Sequence, residues 1–267
     1  ISIRLKTTNN KKIKISDQVN TTLLILKQLE HTTFTPVILK YYVEQPNGWE
    51  ELFKQIQKFV LGTLIYGTSA KNFNRVVESL VKKNNVQDGI DYLNDTFKQN
   101  MITRNYSFDD FPSGIRQISD KNNYQATLLL YIIEMITRDG DEHLYLETLD
   151  ISSLTLEHVM PQDFSKWKNV AAYDYDDDGN YIEIIDLEEK NKLRTYKVYS
   201  LGNMALLTGP LNSSIGNEVF DVKINGSNNI DGIREYVGSM NVTKEIVTSF
   251  DDDPNWDERK IKLKYSF

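Results

Sequence analysis

Three pieces of one stretch decide the fold: Leu154-Thr155-Leu156-Glu157-His158-Val159-Met160-Pro161-Gln162, then Leu201-Gly202-Asn203-Met204-Ala205-Leu206-Leu207, then Asn212 to Lys223. Leu154, Leu156 and Val159 read as a strand that carries Glu157-His158. Leu201 to Leu207 reads as a second core strand. Pro210 suits a helix start, and Leu211, Ile215, Val219 and Val222 share one face of a helix reaching about residue 223. The expected order is therefore strand, connection, strand, helix. Within the connection, residues 163–200, Trp167 is an expected core anchor, and Tyr181 to Ile185 and Lys197-Val198-Tyr199 read as strands.

Upstream the pattern is helical. Ile1, Ile3 and Leu5 alternate with polar residues as in a short strand, before a turn at Asn9-Asn10. A helix through Val19, Leu23, Leu26 and Leu29 follows, with Ser16 or Asp17 as its cap. Pro36 opens a second helix that Pro46-Asn47-Gly48 breaks. Trp49, Leu52, Phe53, Ile56, Phe59, Val60 and Leu64 form the clearest apolar stripe in the chain, ended by Gly67. Ser69 begins a helix through Phe73, Val76, Val77 and Leu80, and further helical pieces lie near 87–99 and 122–138. Asp139-Gly140-Asp141-Glu142 interrupts the apolar pattern and is the expected domain boundary, giving a helical domain over 1–140 and a second domain over 150–267. The tail from Asn241 is expected to be helical in two pieces, with Trp256 and Ile261 packing back.

Composition excludes several classes. With 40% hydrophobic and 26% charged residues, the 267-residue chain has the makeup of a folded globular protein. It holds no Cys, which rules out disulfides and thiolate metal sites and fits a reducing compartment. No apolar run is long enough to cross a membrane. The start at Ile1, without a signal pattern, suggests a fragment of a longer protein. A net charge of −7 argues mildly against nucleic acid as a partner, although much of the acid is concentrated between Asp174 and Glu189. Basic residues gather at the two ends, Arg4 to Lys14 and Arg259 to Lys264.

The chemistry-bearing residues lie in the central stretch. Phosphodiester hydrolysis needs a proton acceptor for water and a cation to neutralise charge on the phosphate. His158 is the one histidine in a patterned site, whereas His31 is expected at a solvated helix end and His143 in a linker. Glu157 and an Asn side-chain carbonyl are oxygen donors of the kind Mg²⁺ takes. Successive strand residues face opposite ways, so Glu157 and His158 share a site only at an irregular strand end, which Pro161 makes plausible. The other reading of the same residues is a surface Glu-His pair, with the Asn residues capping turns and a helix. Asp174-x-Asp176-x-Asp178-Gly179 opens like a calcium loop, but position 12 falls on Ile185 instead of the required Glu, so a hairpin turn is expected.

Glu157-His158-Val159-Met160-Pro161-Gln162, Gly202-Asn203 and Asn212 together resemble the HNH (His-Me finger, ββα-metal) nucleases, and in particular the C-terminal nuclease domain of GmrSD-type restriction enzymes. Phe220-Asp221-Val222-Lys223 and Trp256 also suit that pattern. The resemblance implies an α+β, mostly α, fold: an N-terminal helical bundle followed by a ββα-metal nuclease domain. It implies His158 as general base and Asn203 as the residue holding the loop around it. Glu157 and Asn212 match metal-ligand positions, for Mg²⁺ or Mn²⁺. Asn217 and Lys223 match positions that steady the helix or touch phosphate.

The implied activity is HNH-type endonuclease cleavage of foreign or modified phage DNA in the prokaryotic cytoplasm, with no membrane. Such enzymes also have a nucleotide-hydrolysing part. No Gly-x-x-x-x-Gly-Lys loop occurs in this chain, so that part is expected upstream or on another subunit. The competing expectations are a helical interaction scaffold with a degenerate nuclease centre, and an HNH-like nuclease acting on RNA.

Overall fold

The computed structural model describes residues 18–66, 69–103, 123–138, 151–167, 169–176, 178 and 180–261. Among these the fold is α+β and mostly helical, in two compact units. The strand expected at the chain start, the caps at Ser16 or Asp17, Gly67, the 139–142 boundary and His143 lie outside the described residues.

The described part of the first unit contains α1 (Gln18–Gln28), α2 (Thr35–Glu44), α3 (Trp49–Ile65), α4 (Phe73–Val81) and α5 (Val86–Thr103). The apolar stripe of α3 is its centre: Leu52, Phe53, Ile56, Phe59 and Val60 are buried. Phe59 also meets Phe73 and Phe97 at ring centroid distances of 5.6 and 6.4 Å. Gly62 permits this approach, because a Cβ there would lie 2.8 Å from the Phe97 ring. Helix ends are satisfied by side chains: the Asn85 Oδ1 accepts from the Asp88 N–H, and Lys40 donates to the carbonyls of Val81 and Lys83. His31 is not solvated as expected. It is half-buried after α1, its ring edge-on to Phe73 at 4.9 Å, and burial lowers its pKa.

The second unit comprises α6 (Asn123–Arg138), β1 (Leu154–His158), β2 (Ala172–Tyr175), β3 (Tyr181–Ile184), α7 (Leu187–Lys197), β4 (Met204–Thr208), α8 (Gly209–Ile215), α9 (Phe220–Asn225) and α10 (Asn241–Asp252). Helix α6, although it precedes the expected boundary, packs in this unit. The buried Glu134 carboxylate of α6 accepts from the N–H groups of Asn241 and Val242, holding the start of α10. β1 pairs antiparallel with β4, from Leu154 opposite Thr208 to His158 opposite Met204. A core of Val159, Met160, Trp167, Leu207, Leu211, Ile215, Phe220, Ile246 and Trp256 surrounds this pair. Among the described residues no helix is long and apolar enough to cross a membrane.

Four further expectations require correction. Lys197-Val198-Tyr199 is not a strand: it follows and closes α7, a helix that apolar periodicity does not reveal. Most of α7 is exposed, and the residue it buries fully is Arg194, so no apolar stripe exists to be read. Its start is nevertheless written in the chain, since Asp186 accepts from the N–H groups of Glu188 and Glu189. Asp186→Ala is accordingly expected to destabilise the protein by about 1 kcal/mol in urea unfolding. An unchanged midpoint would contradict the cap.

Second, the helix expected from Pro210 to about 223 is two helices, broken at Gly216, which sits at φ 40°. Third, the strand expected from Leu201 starts only at Met204, after a 3₁₀ turn through Asn203. Fourth, of the two helical pieces expected in the tail, only α10 occurs among the described residues. The segment with Trp256 and Ile261 forms turns, and both side chains are buried.

The Asp174 to Asn180 segment is a hairpin joining β2 and β3, as expected. Asp176 Oδ1 accepts from the N–H groups of Asp178 and Asn180, which is Asx-turn chemistry.

Candidate active site

Glu157 and His158 occupy the last two positions of β1, where pairing with β4 gives way to a loop. That loop is held by Asn203. The Asn203 backbone carbonyl accepts from the Val159 N–H at 2.8 Å. Its fully buried side chain bonds Met160 from both sides, Oδ1 accepting from the Met160 N–H and Nδ2 donating to the Met160 carbonyl. The same Nδ2 reaches the Val198 carbonyl at 2.9 Å, and Oδ1 also accepts from the Trp256 indole at 3.0 Å. All four hydrogen-bonding positions of the amide are filled.

His158 is buried, and its Nε2 has no hydrogen-bond partner among the described residues. Its ring meets Tyr199 edge-on at 5.8 Å. Burial, and then the positive charge of Lys223, hold the imidazole pKa down to about 4. The ring is therefore neutral at neutral pH, with an acceptor or donor position awaiting a partner.

This shift has a sign for stability. In the unfolded chain His158 takes a proton near its ordinary value of 6.5, while in the folded chain it does so only near 4. Its contribution is thus fully present above about pH 6.5 and is lost as pH falls towards 4, at no more than about 1.4 kcal/mol per pH unit. In EDTA, urea midpoints of wild type should drop between pH 7 and 5 more steeply than those of His158→Gln. Parallel curves would contradict the shift.

Glu157 and Lys223 form a buried ion pair, and the same ammonium donates to the His158 carbonyl at 2.8 Å. Burial pushes the Glu157 carboxyl above its ordinary value, although Lys223 pulls it back. Lys223 lies on α9, and the break at Gly216 separates that helix from α8. Lys223 is fully buried, with its ammonium turned to Glu157 and the His158 carbonyl.

Asn212 on α8 is fastened to the same strand: its Nδ2 donates to Thr155 Oγ1 and to the Leu156 carbonyl, both at 3.1 Å. Its Oδ1 takes no part in those bonds. Thr155 and Glu157 lie two apart on β1, so α8 and α9 grip one face of the strand. Asn217 is exposed on the turn after α8, and no described contact brings it to the strand end.

The oxygen donors expected for a divalent ion are the carboxylate of Glu157, which Lys223 holds, and the amide oxygen of Asn212; no described contact joins the two side chains. Among the described residues, no three His, Cys, Asp or Glu side chains group to hold a metal. The donors fit an ion that prefers hard oxygen and keeps several waters, as Mg²⁺ does. Lys223 competes for Glu157, so any such ion is held weakly. Sequence patterning did not identify Tyr199, which it read as strand, nor the bonds made by Lys223 and Trp256. The chain matches the family described as GmrSD restriction endonucleases, C-terminal domain, over residues 103–265, more than half its length. No curated protein and no solved structure matches it.

Proposed function

This chain belongs to the family formed by the C-terminal domains of GmrSD restriction endonucleases, and we propose that it is a metal-dependent DNA endonuclease of the HNH (ββα-metal) kind, restricting foreign or modified phage DNA. The observation that carries the reading is the His158 imidazole: neutral, unpartnered at Nε2, and placed at a strand end whose following loop Asn203 pins. The antiparallel pair of β1 and β4, followed directly by α8, supports the reading.

In this reading His158 Nε2 accepts the proton of the attacking water. Asn203 keeps the loop after His158 in one position, so the imidazole needs little rearrangement on binding substrate. Glu157 and Asn212 would hold Mg²⁺ or Mn²⁺, which when bound neutralises charge on the scissile phosphate. Lys223 keeps Glu157 and the His158 carbonyl in register from behind. The nucleotide-hydrolysing part of the enzyme belongs to an upstream region or a separate subunit.

The deciding experiment incubates the protein with supercoiled plasmid and with modified phage DNA, in Mg²⁺, Mn²⁺ or EDTA. Nicking or linearisation with metal and none with EDTA is expected. No cleavage of DNA under any of these conditions overturns the reading. The capture of Glu157 by Lys223 favours a second reading in that event, a degenerate centre in an interaction scaffold, and cleavage of RNA alone would assign the third.

A further inference from the structure

We propose that Trp256, from the C-terminal segment, is a positioning residue for the nuclease centre, acting through the side-chain amide of Asn203. The inference rests on the nuclease reading above and extends the machinery by a residue 53 positions downstream of Asn203.

The argument begins with the amide. Asn203 Nδ2 faces two carbonyls, Met160 and Val198, and Oδ1 faces two N–H donors, Met160 and Trp256. That pattern fixes which end of the amide is oxygen, because the opposite assignment would set donor against donor and acceptor against acceptor. Two of the four bonds tie Asn203 to Met160 of the His158 loop, and a third is local, to Val198. The fourth alone comes from outside, through the Trp256 indole. Its removal leaves Oδ1 one donor short in a site without exposed surface.

Trp256 is itself held on two sides. Its ring packs against Phe220 at a centroid distance of 5.1 Å. Two residues on, the buried Glu258 pairs with Arg194 and accepts from the Tyr173 N–H at 3.0 Å. Arg194 in turn donates to the carbonyls of Trp167 and Val170. A buried pair with every neighbour satisfied makes a stiff clamp. The segment carrying the indole is thus clamped to the connection that leads away from the His158 loop. Packing alone would be served by any large aromatic ring, whereas a donor aimed at Asn203 requires the indole N–H.

The test separates the ring from the N–H. Trp256→Phe keeps an aromatic ring and removes the donor; benzothienylalanine at 256, with sulfur in place of the N–H, keeps the full ring shape should the Phe variant fold poorly. Either change is expected to lower kcat about tenfold with KM for DNA unchanged, the loss of one buried hydrogen bond that orients the loop. In an Asn203→Ala background the same change should cost less than about twofold, because its route to His158 is already cut. An equal loss in both backgrounds assigns Trp256 a merely structural role and overturns the proposal.

A second readout needs no activity. By NMR, the Asn203 side-chain amide should exchange its protons with water at least about ten times faster in the variant than in wild type. Unchanged protection overturns the proposal. If wild type cleaves no nucleic acid, the nuclease reading fails, and the amide exchange still decides whether Trp256 holds Asn203.

Discussion

His158→Ala is expected to lower metal-dependent DNA cleavage by about 10²–10⁴ while the chain stays folded. Both halves of that expectation follow from the ring's surroundings. The imidazole is the proton acceptor of the proposed centre, and no neighbouring group replaces it: Glu157 is paired with Lys223, and Tyr199 meets the ring by its edge. The Nε2 atom has no partner among the described residues, so truncation leaves none of their donors or acceptors stranded. What is lost is the edge-on contact with Tyr199 and some buried area, which should cost less than the about 3–5 kcal/mol of a truncated core phenylalanine. Plasmid nicking, with urea unfolding on the same preparation, checks both. Full activity in a homogeneous variant would remove His158 from its role. Loss of activity together with loss of fold would show that burial, not basicity, is what the residue supplies.

Lys223→Met should have the largest effect on stability, about 3–5 kcal/mol. Methionine matches the stem of the lysine but carries no charge, and Glu157 is then left buried with no counter-ion. The His158 carbonyl loses a donor as well. The carboxyl, already raised by burial, is driven further towards its protonated form once Lys223 no longer opposes the shift. The double variant Glu157→Gln, Lys223→Met removes both charges and should recover much of the loss, since replacing a buried pair is far less costly than breaking it. A single variant as stable as wild type, or a double variant with simply additive loss, would falsify the ion pair as described. Such a result would also free Lys223 for the phosphate contact that its sequence position equally allowed.

Residues with one-dimensional signatures could be read directly from the chain. The stripe from Trp49 to Leu64, the alternation before His158 and the Pro at 210 each describe how one element meets its surroundings, and each marks the start of an element in the structure, although the helix at Pro210 ends at Ile215. The hairpin at Asp174 to Asn180 was legible for a similar reason, because its hydrogen bonds close within five residues. The place of Asn203 under the His158 loop was also legible, though through family resemblance and not through periodicity.

Tertiary structure decided what depends on elements distant in the chain approaching one another. Helix α7 buries an arginine, not a leucine, and its pairing with Glu258, 64 residues away, together with the carbonyls of Trp167 and Val170, makes that arginine an inward residue. The break at Gly216 sets α9 apart from α8, and on α9 Lys223 meets a carboxylate 66 residues earlier. The indole of Trp256 could be placed in the core from its size alone, but not its N–H against Asn203. The physical reason is common to all three. Apolar burial is non-directional and leaves a periodic trace in each segment, whereas a buried hydrogen bond or ion pair needs two groups within about 3 Å in one orientation, which no local pattern records.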